Sequence, residues 1–179
     1  MRIVSGKYRH RLIKYPENNP SIRPTKDMVR EGVFSALGDI TSKTVLDLFA
    51  GSGSMGIEAL SRGASHCYFV DHADVAISVV KDNVKALAID NATIIKKEAE
   101  EAISSFIDNN IKFDVVILDP PYALDTYIKI IKDIIDNGLI NPKGVFVVES
   151  NGKLSYEGFD FNKVKRYHYG KTYVDILWS

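Results

Sequence analysis

Hydrophobic residues recur along the chain in two alternating patterns. Compact apolar runs at residues 44–49 and Phe113–Leu118 contain few polar positions, which is typical of strands buried on both faces of a sheet. Longer stretches at residues 73–87 and 125–136 carry apolar residues at helical spacing. Because strands alternate with helices, the pattern predicts a parallel sheet covered by helices on both faces.

The rest of the chain extends this alternation and then ends it. Further strands are predicted at residues 67–71, 92–95 and 145–149, and further helices at residues 26–37, from the glycine turn 51–56 to residue 62, and at 98–107. Near the end, residues 161–169 and Thr172–Trp178 flank Gly170 as the two arms of a hairpin do. The sequence therefore predicts an α/β fold in which five parallel strands are closed by an antiparallel C-terminal hairpin.

The first residues follow a different pattern. Short alternating runs at residues 1–5 and 11–15, separated by Gly6 and a polar stretch, predict a small β-hairpin. Prolines at positions 16, 20 and 24 then indicate a loop, and Thr25 can cap the first helix. We expect a hairpin extension at residues 1–24 and the main domain at residues 25–179.

Charge is unevenly distributed although the chain is neutral overall, with 23 basic and 23 acidic residues. Residues 1–30 hold eight basic and two acidic side chains, which leaves a net charge of −6 in the remainder. Such a split favours contact between the basic end and a polyanion, while a solvated flexible arm is the alternative.

Composition excludes several classes of protein. The single cysteine, Cys67, excludes an internal disulfide framework and is expected to be a small core residue. The N-terminus does not resemble a signal peptide, and no apolar run reaches the roughly 20 residues of a membrane helix. The four histidines lack metal-ligand spacing. We therefore expect a soluble cytoplasmic protein with no metal and no membrane contact.

A glycine-rich turn follows the first main-domain strand. Gly51, Gly53 and Gly56 stand where a strand passes into a helix, so the backbone can approach a ligand and offer free N–H groups. The same spacing, with Asp71 about 20 residues further on, also occurs in dinucleotide-binding enzymes. Asp47 favours another cofactor, because a carboxylate there suits a cationic amino-acid group and would repel a pyrophosphate. An aspartate that only braces the loop is the alternative.

Two further carboxylates follow the next strands. Asp71 can accept hydrogen bonds from ribose hydroxyls, or can cap the following helix. Glu98, with Ala99 beside it, is placed to reach an adenine amino group. The charged residues around Glu98 are equally typical of a solvated helix start.

A stiff turn follows the buried strand Phe113–Leu118. Asp119, Pro120, Pro121 and Tyr122 combine a carboxylate, two prolines that fix the backbone, and an aromatic ring. The Asp119 carboxylate and the Pro120 carbonyl can accept hydrogen bonds from an exocyclic amino group on a base and aim its nitrogen lone pair. Tyr122 offers a stacking face for an extruded base. A plain rigid turn is the alternative for the motif in isolation.

With both motifs in view, the chain resembles the RsmD-like bacterial methyltransferases, which act on a guanine N2 of small-subunit ribosomal RNA. The resemblance is carried by residues 1–7, 22–34, 46–64, 113–122 and 169–170. Met55 stands where leucine is expected, and Asp71 where glutamate is commoner, but both keep the chemistry of the position.

The resemblance implies a Rossmann-like, seven-stranded, mostly parallel sheet with the small N-terminal hairpin. It implies S-adenosylmethionine as the methyl donor, S-adenosylhomocysteine as its product, and a monomer acting on small-subunit rRNA within an assembling ribosomal particle. Together with the motifs it gives Asp119, Pro120, Pro121 and Tyr122 as catalytic residues. The expected cofactor-binding residues are Asp47, Phe49, Gly51, Ser52, Gly53, Asp71, His72, Glu98 and Ala99. The expected RNA-binding residues are Arg2, Lys7, Arg9, Arg11, Arg23, Thr25 and Arg30.

Three other functions remain possible at this stage. An adenine-N6 methyltransferase acting on DNA or RNA would use the same Asp119–Tyr122 turn. A nicotinamide oxidoreductase is compatible with the glycine turn and Asp71, although nothing resembles a hydride-transfer site. A non-catalytic RNA-binding assembly factor could keep the same fold.

Overall fold

The computed structural model describes residues 1–16, 27–119 and 124–179, except for the side chain of Leu124. The strands in these ranges are β1 (Thr44–Leu48), β2 (His66–Asp71), β3 (Ala92–Lys96), β4 (Phe113–Leu118), β5 (Ile140–Ser150), β6 (Lys163–Tyr169) and β7 (Thr172–Trp178). The helices are α1 (Asp27–Leu37), α2 (Ser54–Ser61), α3 (Asp74–Ala86), α4 (Ala99–Asp108) and α5 (Leu124–Asp136).

The seven strands form one sheet in the order β3-β2-β1-β4-β5-β7-β6. β1 to β5 are parallel, and β7 pairs antiparallel with both β5 and β6. This confirms the predicted five parallel strands closed by a C-terminal hairpin. The strand order reverses between β1 and β4, and ligands of open α/β sheets bind at the carboxyl ends of strands beside such a reversal.

Alternate strand residues enter two separate cores because side chains of a strand point to opposite faces. Val45 belongs to the core beneath α1, α2 and α3, whereas Leu46 and Leu48 belong to the core beneath α4 and α5. The second core includes Phe106 and Phe113, whose rings meet edge to face at 5.0 Å. Burial on both faces explains why the central strands contain few polar positions.

Most predicted boundaries agree with the structure to within two residues, and β5 is the exception. It begins at Ile140 and not at Val145, because Ile140 already pairs with Phe113 before the register shifts. The intervening Lys143 has a positive φ of 62°, which marks the irregularity. Asn141, Pro142 and Lys143, which are residue types depleted in strands, obscured this first part of β5 in the sequence.

The N-terminal residues form the predicted antiparallel pair and pack on the main domain. Arg2 bridges to Leu12, and the Ile13 N–H donates to the Met1 carbonyl at 2.9 Å. Ile3 and Ile13 are buried in the core beneath α1 to α3. The boundary expected after residue 24 lies outside the described residues and stays a prediction.

Two glycines permit close contacts that join distant parts of the chain. A Cβ on Gly6, whose φ is 83°, would lie 1.8 Å from the Ser61 carbonyl oxygen at the end of α2. A Cβ on Gly32 in α1 would lie 2.3 Å from the Tyr169 hydroxyl at the end of β6. The two ends of the chain therefore both pack against helices of the first core.

Within the described ranges, no helix combines the length and the hydrophobicity needed to cross a membrane.

Candidate active site

The carboxyl ends of β1, β2 and β4 lie side by side at one edge of the sheet. β1 ends beside β2 and β4, with Leu48 opposite Val70 on one side and Leu118 on the other. This register brings the glycine turn, Asp71 and Asp119 to one edge. The structure therefore places the glycine turn and Asp119, the described residue of the second motif, on the same side of the molecule.

The glycine turn is held tightly against the end of β2. The N–H groups of Phe49 and Ala50 both donate to the Val70 carbonyl, at 3.0 and 2.9 Å. Phe49 has a φ of 78°, which is uncommon for a residue with a side chain, and Gly53 has a φ of 75° at the position before α2. The chain thus turns sharply and directs the N-terminus of α2 toward the crevice.

Gly56 brings α2 close to the sheet. A Cβ at this position would lie 2.3 Å from the Phe69 ring and 2.7 Å from the Cys67 sulfur. Cys67 is fully buried, as expected for a small core residue, and burial raises the pKa of its thiol. Any larger residue at position 56 would push the helix, and with it the glycine turn, away from β2.

Asp47 lies beneath the glycine turn and is only 3% exposed. Its Oδ2 accepts a hydrogen bond of 2.9 Å from the backbone N–H of Gly56. Burial raises the pKa of Asp47 to about 7, since the Gly56 hydrogen bond opposes the shift only in part and the charge of Asp71 adds to it. Asp47 therefore does brace the loop, and it is also a buried carboxylate that a cation would stabilise.

Asp71 connects the glycine turn to the start of α3. Its two carboxylate oxygens accept backbone N–H groups, one from Gly51 and one from Ala73, both at 2.9 Å. Each oxygen can still accept another donor, because a carboxylate has about four acceptor sites. The capping role and the predicted ribose contact are therefore compatible.

His72, Glu98 and Ala99 lie beside Asp71. His72 Nδ1 lies 4.0 Å from Asp71 Oδ1 and 4.0 Å from Glu98 Oε2. Glu98 precedes α4, does not cap it with its side chain, and is 56% exposed. Ala99, the first residue of α4, is buried. The Glu98 side chain is therefore accessible both to solvent and to a ligand.

Asp119 follows β4 directly and its side chain is exposed at the edge of the sheet. Even so, the protein atoms around its carboxyl group limit hydration and raise its pKa well above the ordinary value, and the negative charges of Glu149 and Asp47 raise it further. Glu149 is close because Leu118 and Val148 are register partners in β4 and β5. Asp119 is consequently a more basic carboxylate than an isolated aspartate.

Two residues beside Asp119 were missed by the sequence analysis. Glu149 stands at the end of β5, and Tyr127 is a buried residue of α5. Burial raises the pKa of the Tyr127 hydroxyl, and the charges of Asp119 and Glu149 add to the shift. Glu149 could have been found as an acidic residue ending a buried strand, whereas Tyr127 only resembles one more apolar residue on a helix face.

Part of the predicted site lies outside the described residues. This applies to Pro120, Pro121 and Tyr122 of the turn, and to Arg23 and Thr25 of the basic segment. In the described ranges, no group of three or more histidine, cysteine, aspartate or glutamate side chains could hold a metal ion.

Comparison with known proteins agrees with this geometry. The family profile described as "Conserved hypothetical protein 95" matches residues 1–178. The chain belongs to this family. The resemblance to RsmD-like proteins is confirmed by a relative from Escherichia coli named "Ribosomal RNA small subunit methyltransferase D". It is 32% identical over 151 residues, which cover 84% of this chain and 74% of that protein.

Two further comparisons extend over almost the whole chain. YlbH of Bacillus subtilis is 36% identical over 181 residues, covering 98% of this chain and 97% of YlbH. The solved structure of yhhF from Escherichia coli has a TM-score of 0.81 at 26% identity, covering 99% of this chain and 97% of that chain. The family fold is therefore present from the N-terminal hairpin to β7.

The predicted RNA-binding residues of this family member divide into two groups. Arg2, Lys7, Arg9 and Arg11 are exposed on the N-terminal hairpin. Arg2 forms an ion pair of 3.3 Å with Asp27, and Arg11 donates to a carbonyl of α3. With these contacts in place, all four side chains remain exposed to solvent.

Arg30 does not join that surface, and the structure argues against its predicted contact with RNA. Its side chain is fully buried. It donates to the Arg2 carbonyl and to Asp27, and its Nε lies 3.8 Å from the buried Glu58 carboxylate. Arg30 instead fastens the N-terminal hairpin to α1 and α2, because a buried guanidinium needs several acceptors.

Glu58 and Ser61 of α2 complete this attachment and were not singled out from the sequence. The Glu58 carboxylate accepts the backbone N–H groups of Val4 and Ser5, at 2.9 and 3.0 Å. The Ser61 hydroxyl donates to the Ser5 carbonyl and accepts the Tyr8 N–H. Helix α2 therefore carries the glycine turn at one end and holds the exposed cations in place at the other.

Proposed function

We propose that this protein transfers a methyl group from S-adenosylmethionine to the exocyclic N2 of a guanine in small-subunit rRNA. The observation that carries the proposal is the presence of the glycine turn, the buried Asp47 and the Asp119 carboxylate at one edge of the sheet. Membership of the family that includes the Escherichia coli rRNA methyltransferase D supports the same reaction.

The residues around the glycine turn fit this methyl donor. Asp47 is a buried carboxylate, and among the described residues no cation donates a hydrogen bond to it. The amino group of S-adenosylmethionine would supply that cation. Asp71 has acceptor capacity for ribose hydroxyls, and Glu98 and His72 lie beside it for the adenine end. When bound, the donor supplies a methyl carbon activated by a positively charged sulfur.

Asp119 is assigned the role of orienting the nucleophile. The N2 lone pair of guanine is delocalised into the ring, so the nitrogen reacts only when its protons are held and the lone pair is aimed. The Asp119 carboxylate accepts one of these N–H groups, and we expect the Pro120 carbonyl to accept the other. As the nitrogen–carbon bond forms, the methyl–sulfur bond breaks and its electron pair stays on sulfur. The positive charge that develops on the nitrogen would be stabilised by Asp119 and by the nearby carboxylate of Glu149.

The methylated nitrogen then loses a proton to restore a neutral base. The raised pKa of Asp119 makes it a better acceptor for that proton than an ordinary carboxylate, and exposure allows it to pass the proton on to water. Tyr122 is expected to stack on the extruded base. The exposed cations of the hairpin, Arg2, Lys7, Arg9 and Arg11, would hold the RNA backbone.

We further propose that the protein acts as a monomer in the cytoplasm and that its substrate is an assembling small ribosomal particle. A base that must be extruded is most accessible before the RNA is fully packed.

The test is a methyl-transfer assay with S-adenosylmethionine labelled in its methyl group. Naked small-subunit rRNA and small subunits lacking the modification are incubated in parallel, and the RNA is digested to nucleosides and separated. We expect label in N2-methylguanosine, with more transfer to the particle than to naked RNA. Label in N6-methyladenosine, or in no nucleoside from either substrate, would contradict the proposal.

A further inference from the structure

Asn83 of α3 connects the N-terminal hairpin to the glycine turn. Its side chain is 2% exposed and forms three hydrogen bonds. Oδ1 accepts the Lys14 backbone N–H at 2.8 Å, and Nδ2 donates to the Lys14 carbonyl at 3.0 Å. Nδ2 also donates to the Ser52 carbonyl at 3.1 Å. One amide group therefore ties together two segments that are 38 residues apart in the sequence.

The two ends of this connection have different tasks. Ser52 lies between Gly51 and Gly53 in the turn assigned to the cofactor, and is only 3% exposed. Lys14 ends the hairpin that carries the exposed cations. The turn and the hairpin can thus move relative to each other only if a buried amide loses hydrogen bonds, which is costly away from water.

Other packing at this point reinforces the connection. A Cβ on Gly53 would lie 3.1 Å from Val80, one turn before Asn83 in α3. The Lys14 side chain forms an exposed ion pair of 2.9 Å with Asp82. The ion pair holds Lys14 to α3 without touching Ser52, so the two attachments of Lys14 can be tested separately.

We propose that Asn83 is a positioning residue that couples RNA binding to cofactor binding. RNA held on the hairpin restrains Lys14, the Asn83 amide restrains Ser52, and the turn is then held in the shape that the cofactor requires. Because such coupling is reciprocal, bound cofactor strengthens RNA binding by the same factor. This inference rests on the proposed function, since it takes the hairpin as the RNA surface and the turn as the cofactor site.

The test measures the affinity for tritiated S-adenosylhomocysteine by equilibrium dialysis, with and without saturating small subunits that lack the modification. For the natural protein we expect binding to become about fivefold tighter, or more, when the particle is present. Asn83→Asp still accepts the Lys14 N–H but can donate neither to the Lys14 carbonyl nor to the Ser52 carbonyl, and Asn83→Leu loses all three hydrogen bonds. In both variants the ratio of S-adenosylhomocysteine affinity with the particle to affinity without it should fall below about twofold.

Two variants serve as controls. Asp82→Asn removes the exposed ion pair of Lys14 and should keep the full ratio. Asn91→Ala removes another asparagine that donates to two backbone carbonyls, those of Ala64 and Ser65, and should also keep it. Thermal unfolding of each variant establishes whether it is folded. If Asn83→Leu does not fold, the comparison uses Asn83→Asp alone.

A kinetic measurement separates positioning from a general structural defect. For Asn83→Asp at saturating RNA, the KM for S-adenosylmethionine should rise about fivefold while kcat changes less than about twofold. Equal cofactor affinity with and without the particle in the natural protein, or an unchanged ratio in Asn83→Asp, would overturn the inference. Absence of methyl transfer in the natural protein would instead count against the proposed function.

Discussion

The Asp47 carboxylate and the Gly56 backbone N–H are joined by a hydrogen bond of 2.9 Å that spans the whole glycine turn. The bond fixes the start of α2 over the end of β1, so it contributes to the shape of the turn. The same carboxylate is buried and has a pKa of about 7. A side chain that shapes the site therefore carries a charge that the folded protein solvates poorly.

Asp47→Asn should stabilise the protein and weaken its binding of the cofactor. Asparagine can still accept the Gly56 N–H, but it carries no charge to desolvate. The pKa of Asp47 is about 7 in the folded protein, whereas an ordinary aspartate has a pKa near 4. Below about pH 4 Asp47 is protonated in the folded and the unfolded chain and costs no stability. As the pH rises from about 4 through about 7, the unfolded chain ionises more readily, so the folded protein loses stability. The variant should therefore gain about 1–4 kcal/mol over the natural protein at pH 8, and almost nothing at pH 4.

Thermal unfolding at several pH values, together with calorimetry of S-adenosylmethionine binding, checks both effects. Affinity at pH 8 should fall about tenfold or more, because a charge-assisted contact to the amino group is lost. Asp160→Asn, at an exposed position, is the matched control and should change neither quantity. If the affinity survives in Asp47→Asn, Asp47 only braces the loop.

Asp119→Ala should abolish methyl transfer and spare cofactor binding. The variant removes the carboxylate that orients the amino group, whereas the glycine turn and Asp71 remain. We expect kcat to fall at least about 100-fold while the S-adenosylhomocysteine Kd changes less than about threefold. Asp108→Ala, at the exposed end of α4, provides the comparison. Loss of cofactor binding in Asp119→Ala would show that its role has been misassigned.

Glu149→Gln should shift the pH dependence of the reaction. Activity requires the ionised Asp119 carboxylate, so kcat falls as the pH drops through its raised pKa. The Glu149 charge is one cause of that rise. Without it the pKa of Asp119 is raised less, and the acidic limb of the pH–rate profile should move to lower pH. Glu157→Gln, the same isosteric change in an exposed loop, should leave the acidic limb of the profile unchanged. If Glu149→Gln and Glu157→Gln give the same pH–rate profile, the interaction between Glu149 and Asp119 is refuted.

Charge reversal of Arg9 and Arg11 to glutamate should weaken RNA binding and flatten its salt dependence. Both side chains are exposed on the hairpin. Losing two phosphate contacts should reduce the slope of log K against log salt concentration by about 1.5. The matched control reverses Lys129 and Lys132, two exposed lysines of α5, which packs on the second core and therefore on the face of the sheet opposite the hairpin. A slope that is the same in both double variants would identify the hairpin as merely solvated.

The sequence was most informative where local pattern and tertiary position coincide. β4 was predicted with its observed bounds, Phe113–Leu118, because a run that is apolar except for Asp114 is typical of a buried strand in a parallel sheet. Asp47 and Asp71 could be placed because strand ends meet at one edge of such a sheet. By contrast, the start of β5 was missed, since a register shift at Ile140 depends on its partner strand.

Burial of charge was the part that the sequence could not supply. Arg30 looks like one more cation in a basic segment, yet it is buried against Glu58, which looks like an ordinary helix glutamate. Glu149 likewise gains its importance from β4, a strand that lies 31 residues earlier in the chain. Each of these roles arises from a non-local pairing that leaves no periodic signal.

The contact between Gly32 and the Tyr169 hydroxyl has a consequence for how the chain is made. Helix α1 leaves the ribosome early, but the surface that covers its Gly32 face belongs to the last hairpin. β7 is also the strand that covers the edge of β5. Until β6 and β7 are synthesised, the Gly32 face of α1 and the edge of β5 remain uncovered. Completion of this fold therefore waits for the β6–β7 hairpin, and deletion of that hairpin would disturb packing as far away as α1.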